Sequence, residues 1–426
     1  MSAIWVGTTP GLVIWDLDLM KEILSNKSGH FRIPPPPNPY MKMLPQGVTI
    51  LDGEKWAQHR SIINPAFHLE KLKAMIPAFL VSCTEMIKKW EMFIGDRVSY
   101  EIDVWPELQE LTGDIISRTA LGSNYIEGQR IFQLQREQIA LILELSQMPY
   151  IPGFRFLPTK KNKHVKHLDV QIKALLRDLI KKKELAIRMR DCRIDDLLGL
   201  MLQSNCSDQQ THVNDSRFKG LTTEEVMEEC KLFYFVGHES TSVLLTWTMV
   251  LLAMNPIWQD RAREEVLKIL GRSAPNFESI GELKIINIIL HEILRLYPSV
   301  PIQYRYTYRR SKIGGVSLPA GANLLLPTLL VNHDPEIWGT DAEEFKPQRF
   351  SRGVSNASKK QAAFFPFGWG PKACVGQNFA LIEAKLALSM ILQHFSFELS
   401  PTYIHSPYYL LTVQPQHGAQ IILRKV

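Results

Sequence analysis

Residues Phe367 to Gly376, FGWGPKACVG, set one cysteine in a glycine-punctuated loop that opens directly into a helix-forming run. Such a place favours a thiolate, because loop N–H groups and the positive end of the next helix stabilise negative charge on sulfur. Gly370 and Gly376 are expected to allow backbone conformations closed to other residues, so that the chain wraps closely round Cys374. The run VGQNFALIEAKLALSMILQHF predicts one helix, with Phe379, Ile382, Leu386 and Ile391 on its apolar stripe. Phe367 is expected to shield the sulfur from solvent. A lone cysteine is more often a buried small hydrophobe than a ligand. The F-x-x-G-x-x-x-C-x-G spacing ahead of a helix tips the reading to a functional thiolate.

The second informative stretch is MEECKLFYFVGHESTSVLLTWTMVLLAMN, Met227 to Asn255, which has no proline and one glycine. It predicts a single helix of about 29 residues, about 43 Å long at about 1.5 Å per residue. Gly237, His238, Glu239, Ser240 and Thr241 interrupt an otherwise apolar sequence. Glycine costs about 1 kcal/mol against alanine inside a helix, and a buried carboxylate costs more unless paired or protonated. The notch therefore either faces solvent or is kept for chemistry. The apolar run after Ser242 falls short of the roughly 20 residues a membrane span requires.

Both stretches resemble segments of the cytochrome P450 monooxygenases. The resemblance implies a mainly α fold: a helical domain with small β-sheets, a long central distal helix and a cysteine-ligand loop. It implies haem (iron protoporphyrin IX), with Cys374 as the iron ligand. VGHEST is similar to the family's oxygen-binding segment, where a kinked backbone makes room for dioxygen; Glu239 maps to the acid and Ser240 to the alcohol of the proton relay, with Thr241 beside them. Ser240 replaces the usual threonine, keeping the hydroxyl but losing the methyl that limits its rotamers. Lys372 stands where the family usually has a propionate-binding arginine, and an ammonium lacks the planar fork of a guanidinium. Trp56 and Arg60 repeat a W-x-x-x-R spacing that resembles another propionate site, and Arg305 in QYRYTYR matches a third. In HEILRLYP, Glu292 and Arg295 lie three apart on one helical face, and Arg349 of FKPQRF is implied as the third member of a buried ionic triad.

The resemblance further implies O2 as oxidant and NADPH electrons delivered singly by a cytochrome P450 reductase. Apolar and aromatic candidate pocket segments point to a small hydrophobic substrate. The C-terminal third is similar to the plant branch that includes secologanin synthase and hormone-inactivating oxidases, which implies a terpenoid or terpenoid-derived hormone. Two alternatives stand beside this: an impaired haem-binding relic, suggested by Lys372 and Ser240, and a non-oxygenating isomerase or dehydratase, which would dispense with the acid–alcohol pair.

The 426 residues carry no Gly/Ser linker and no internal repeat, so residues 1–426 are expected to form one catalytic domain. A first strand at the very start predicts that the family's N-terminal anchor, hinge and first helix are absent, leaving apolar surface on the small sheet exposed. Cys83, Cys192, Cys206, Cys230 and Cys374 show no CxxC pair, which suits free thiols in a reducing compartment. Paired strands are expected around TTPG, around SKIGGVSLPAG and in the C-terminal YYLLTV…AQIILRK, and a polar connector from Ser204. Net charge is +6, but no nucleic-acid recognition fold accompanies it. In MPYIPGFRFLP, residues 148–158, Tyr150, Ile151, Phe154, Phe156 and Leu157 precede Lys160, Lys161, Lys163 and Lys166, a pattern suited to peripheral membrane contact. Resemblance places the chain at the cytoplasmic face of the endoplasmic reticulum; without an anchor, a peripheral or cytosolic location is the other expectation.

Overall fold

The computed structural model describes residues 1–6, 9–36, 38–122, 125–147, 151, 153–189, 196–206 and 220–426. Tyr150 and Cys192, and most of the connector after Ser204, lie outside the described residues. Seven helices carry the residues discussed below: α1 (Gly53–Ile63), α2 (Val104–Ala120), α3 (Lys160–Arg188), α4 (Thr223–Met254), α5 (Pro256–Leu270), α6 (Lys284–Leu296) and α7 (Gln377–His394). The chain divides into two compact units, one of Met1–Pro34, Phe79–Gln109 and Ser240–Val426, the other of Pro35–Ala78 and Glu110–Glu239.

The first unit holds every described strand: β1 (Ser2–Val6), β2 (Thr9–Val13), β3 (Phe31–Arg32), β4 (Tyr100–Asp103), β5 (Gln303–Thr307), β6 (Ser311–Ile313), β7 (Val316–Leu318), β8 (Asn323–Leu326), β9 (Phe395–Leu399), β10 (Pro407–Tyr409), β11 (Val413–Pro415) and β12 (Gln420–Lys425). They form a five-stranded sheet ordered β1-β2-β8-β5-β3, a three-stranded sheet β4-β12-β9, and the hairpins β6-β7 and β10-β11. Only β2 and β8 pair in parallel. The hairpins expected around TTPG and in SKIGGVSLPAG are present. On the first of them Trp5 is exposed. The helix expected through Phe395 stops at His394, because Phe395 turns extended and opens β9.

Helix α4 begins four residues earlier than its apolar pattern suggests. Thr222 and Glu225 form a reciprocal cap: Thr222 N–H donates to Glu225 Oε2 at 2.9 Å and Glu225 N–H to Thr222 Oγ1 at 3.3 Å. It ends at Met254 because Asn255 precedes Pro256, which drives it out of the helical region (φ −128°, ψ 71°). Helix α6 has no side-chain cap of its own. Instead the Glu265 carboxylate of α5 accepts from the N–H groups of Lys284, Ile285 and Ile286 at 2.8–3.1 Å.

The second unit is helical. Tyr40, Ile142, Leu145 and Val165 form one of its buried clusters, and the Tyr40 hydroxyl donates to Asn162 Oδ1 at 2.8 Å. Phe154 packs on this cluster, which removes it from the set of expected membrane-facing tips. Ile151, Phe156 and Leu157 are exposed, as that reading requires.

Candidate active site

The cysteine loop is held by backbone bonds inside the first unit. Cys374 N–H donates to Phe367 O at 2.8 Å, and Ala373 N–H to Gly370 O at 3.1 Å. Two glycines use positive φ here, Gly368 at 81° and Gly370 at 74°. A Cβ on Gly370 would lie 2.7 Å from Leu24 O, so this glycine is required by space as well as by conformation. Gly376 does not share that role. Its φ is −87°, open to any residue, and it serves as the N-cap of α7. No side chain caps α7, so its positive end is presented beside Cys374. The thiol is exposed and unbridged. What ties Phe367 to Cys374 here is the bond between their backbones. Lys372 closes the short Gly370–Lys372 turn and is half-buried. A Cβ on Gly368 would meet Gln303 Oε1 at 3.8 Å and Lys372 O at 3.9 Å, which puts the start of β5 beside the loop. Arg305, on that strand, is buried and donates through Nη1 to Tyr304 O at 2.8 Å.

In the α4 notch, Glu239 and Thr241 are buried, which excludes the solvent-facing reading. Gly237 has a packing reason: a Cβ there would lie 2.7 Å from Cγ1 of Ile116 on α2. Helix α4 is continuous through the notch, so the implied kink is not a break in the helix. The place is marked instead by extra hydroxyl donors. Thr112 Oγ1 donates to His238 O at 2.9 Å, and Ser299 Oγ donates to Ser240 O at 3.0 Å. Side-chain donors inserted against a carbonyl ladder are a recognised cause of helix bending. His238 lies next to Glu239, Nε2 to Oε2 3.7 Å, and burial holds its imidazole below the usual range. The neutral ring then donates Nδ1–H to Tyr234 O at 2.9 Å. Trp56 and Arg60 lie one turn apart on α1 in the second unit, both half-buried.

Thr241 leads to a residue the sequence reading passed over. Glu383, on α7, is fully buried, and neither carboxyl oxygen has a hydrogen bond of good geometry among the described residues. Burial pushes its carboxyl well above the ordinary range, and the facing Thr241 hydroxyl pulls it only partly back. It is held as a neutral acid. The signal was present: Glu383 follows Phe379 by four residues and so sits on the stripe read as apolar. A carboxyl raised in the folded state supports stability below its unfolded value near 4.5 and loses that support as pH rises through the folded value. Glu383→Gln is therefore expected to gain on the parent as pH rises from about 4.5, by up to about 1.4 kcal/mol per unit. Urea midpoints across a pH series test this, and parallel profiles for parent and variant would refute the buried neutral acid.

Elsewhere in the first unit, Glu292 and Arg295 pair at 2.8 Å with both side chains fully buried. Arg349 Nε stands 3.4 Å from Glu292 Oε1. Arg295 also donates to Asn332 O at 2.8 Å and Ala342 O at 2.6 Å, and Lys346 N–H donates to Glu292 Oε1 at 2.8 Å. Charges and backbone are thus locked together, the arrangement that makes a buried pair specify geometry.

Comparison with known proteins agrees with this architecture. The family profile of cytochrome P450 matches residues 1–423. The crystal structure of the cytochrome P450DA haem domain superposes with a TM-score of 0.85 at 24% identity, covering 99% of this chain and 89% of the other. The chain belongs to the cytochrome P450 family and is a haem-dependent monooxygenase. Its similar relatives are plant proteins. Cytochrome P450 CYP72A616 of Paris polyphylla is 56% identical over 99% of this chain and 81% of its own length. An 11-oxo-beta-amyrin 30-oxidase of Glycyrrhiza uralensis is 50% identical over 100% and 80%. A 7-deoxyloganic acid hydroxylase of Catharanthus roseus is 46% identical over 100% and 82%.

Proposed function

We propose that this chain oxidises a terpenoid, with haem held through the Cys374 thiolate. The observation that carries the ligand assignment is the loop itself: an exposed cysteine, positioned by backbone bonds, at the N-terminus of an 18-residue helix that no side chain caps. Among the described residues no group of three or more His, Cys, Asp or Glu side chains gathers to hold a metal. A single sulfur suits an iron whose other ligands come from a macrocycle, so the residues present fit haem. Bound there, haem supplies activation of O2 and transfer of one oxygen atom to a C–H bond. By resemblance Arg305, Lys372, Trp56 and Arg60 are each candidates to hold a propionate; Lys372 offers a point charge where a guanidinium offers two parallel bonds. Electrons come singly from NADPH through a flavoprotein reductase.

The substrate class rests on the relatives, one acting on an oxidised β-amyrin and another on deoxyloganic acid. Glu239, Ser240 and Thr241 are assigned the movement of protons toward the oxygen-binding place. Loss of one positioned proton-transfer group typically costs about 10²–10⁴-fold. With reductase supplied and a triterpenoid or iridoid acid turned over, Ser240→Ala is expected to lower product per NADPH and raise peroxide while haem content stays unchanged. Unchanged coupling in both this variant and the Ser240→Ala/Thr241→Ala double would remove the hydroxyls from the relay. Absence of any terpenoid product from the parent would overturn the substrate class.

No single helix among the described residues is long and apolar enough to cross a membrane. We assign contact with the cytoplasmic face of the endoplasmic reticulum to the exposed Ile151, Phe156 and Leu157, which precede the lysine-rich start of α3. Cosedimentation with anionic vesicles is expected to fall in Phe156→Ser/Leu157→Ser, and equal binding by parent and variant would reject this contact.

A further inference from the structure

On α4, in the first unit, Trp247 is fully buried and stacks on Tyr297, with ring centroids 4.4 Å apart and planes 15° from parallel. Its indole N–H donates to Val413 O at 2.6 Å, which fixes the ring. The Tyr297 hydroxyl lies 3.0 Å from His405 Nε2, and His405 Nδ1 lies 2.9 Å from the Tyr403 hydroxyl. His405 is exposed. Through Tyr297 a buried indole is therefore joined to a surface imidazole by one ring stack and one hydrogen bond, and the imidazole also meets the indole edge-on with centroids 5.5 Å apart. Phenylalanine at 297 would serve the stack equally well, so the hydroxyl is present for its bond to His405. Burial pushes the Tyr297 phenol up to about 12, and burial lowers His405. The phenol thus keeps its proton at neutral pH, and the neutral imidazole has one nitrogen lone pair to receive it.

Trp247 follows Ser240 by seven residues. That places it about 20° from Ser240 round the helix and about 10.5 Å along the axis. The indole is therefore on the same face of α4 as the hydroxyl assigned to the oxygen-binding place.

We propose that Trp247, Tyr297 and His405 form an escape route for oxidising equivalents, used when oxygen is activated with no substrate in place to accept it. With haem bound and oxidised by peroxide, the Trp247 indole would give up one electron toward it and become an indole radical cation. Tyr297 returns an electron to the indole and passes its phenol proton to His405 Nε2, so that a neutral tyrosyl radical and an imidazolium remain. A soluble one-electron reductant such as ascorbate then supplies the electron to Tyr297, and the imidazolium returns the proton. The net result is one-electron reduction of the oxidised haem by the external reductant, with the protein unchanged. The route rests on the haem reading above.

The test uses haem-loaded protein mixed with hydrogen peroxide, without reductase or substrate, freeze-quenched for electron paramagnetic resonance and followed in parallel for haem bleaching. The carbon monoxide spectrum is recorded first, so that failure to bind haem is separated from failure of the route. The parent is expected to show a tyrosyl radical that ascorbate quenches. Tyr297→Phe, which keeps the stack, is expected to lose most of that signal and to bleach several-fold faster. His405→Gln, a surface change that keeps a polar partner but cannot take the proton, is expected to bleach faster than the parent and to build less radical. Equal radical yield and bleaching in Tyr297→Phe and the parent would overturn the route. Should Tyr297→Phe fail to hold haem, His405→Gln decides alone, and parental behaviour in it overturns the proposal.

Discussion

Cys374→Ala is expected to abolish the red-shifted Soret band that the parent shows when reduced under carbon monoxide, and with it all monooxygenase turnover. The effect separates cleanly from folding. Alanine keeps the N–H that donates to Phe367 O at 2.8 Å, and the removed sulfur is exposed. Stability of the haem-free chain should therefore stay within about 0.5 kcal/mol of the parent, as for ordinary surface changes. The loss is all-or-none because the chain offers one thiolate at this place, and its electron donation is what distinguishes a thiolate-bound iron from a histidine-bound one. A histidine-type spectrum in the parent, or a persistent red-shifted band in the alanine variant, would reject Cys374 as the ligand.

The second large effect is on the fold. Glu292→Ala leaves Arg295 fully buried with no carboxylate and strips Arg349 and the Lys346 N–H of a shared acceptor. Stranding one member of a buried pair costs about 3–5 kcal/mol, a large fraction of the stability of an ordinary domain. The expected result is a sharply lowered urea midpoint with an unchanged slope, or failure to accumulate folded protein. Glu292→Leu/Arg295→Leu should recover part of the loss, since no buried charge of the pair remains. Recovery stays partial because Asn332 O and Ala342 O then lose their donor. A single variant within about 1 kcal/mol of the parent would show that the pair is not what holds this region.

Local chemistry was legible in the sequence wherever it is written in consecutive residues. The spacing round Cys374 announced a glycine-wrapped loop opening into a helix, and the absence of proline from Met227 to Asn255 announced one long helix. The ends of that helix were legible too, in Thr222-x-x-Glu225 and in Asn255-Pro256, although hydrophobic periodicity alone shortened it at the start. Gly376 was misassigned for a related reason. A glycine's sequence position does not say whether its φ is positive, and here Gly368 and Gly370 take that conformation while Gly376 caps a helix.

What the sequence by itself determined is therefore the helical class, the long α4 and the cysteine loop that opens into α7. Only the tertiary structure decided which residues meet. Glu383 reads as one polar residue in an apolar helix until folding buries it opposite Thr241, where the cost of desolvating a charge keeps it protonated. Glu265 reads as a surface acid until it caps α6, nineteen residues further along the chain. Trp247, Tyr297 and His405 are separated by 50 and 108 residues, and no local pattern links them. Propensity and periodicity act over a few residues, whereas desolvation, stacking and hydrogen bonding between distant segments exist only once the chain has closed those long loops.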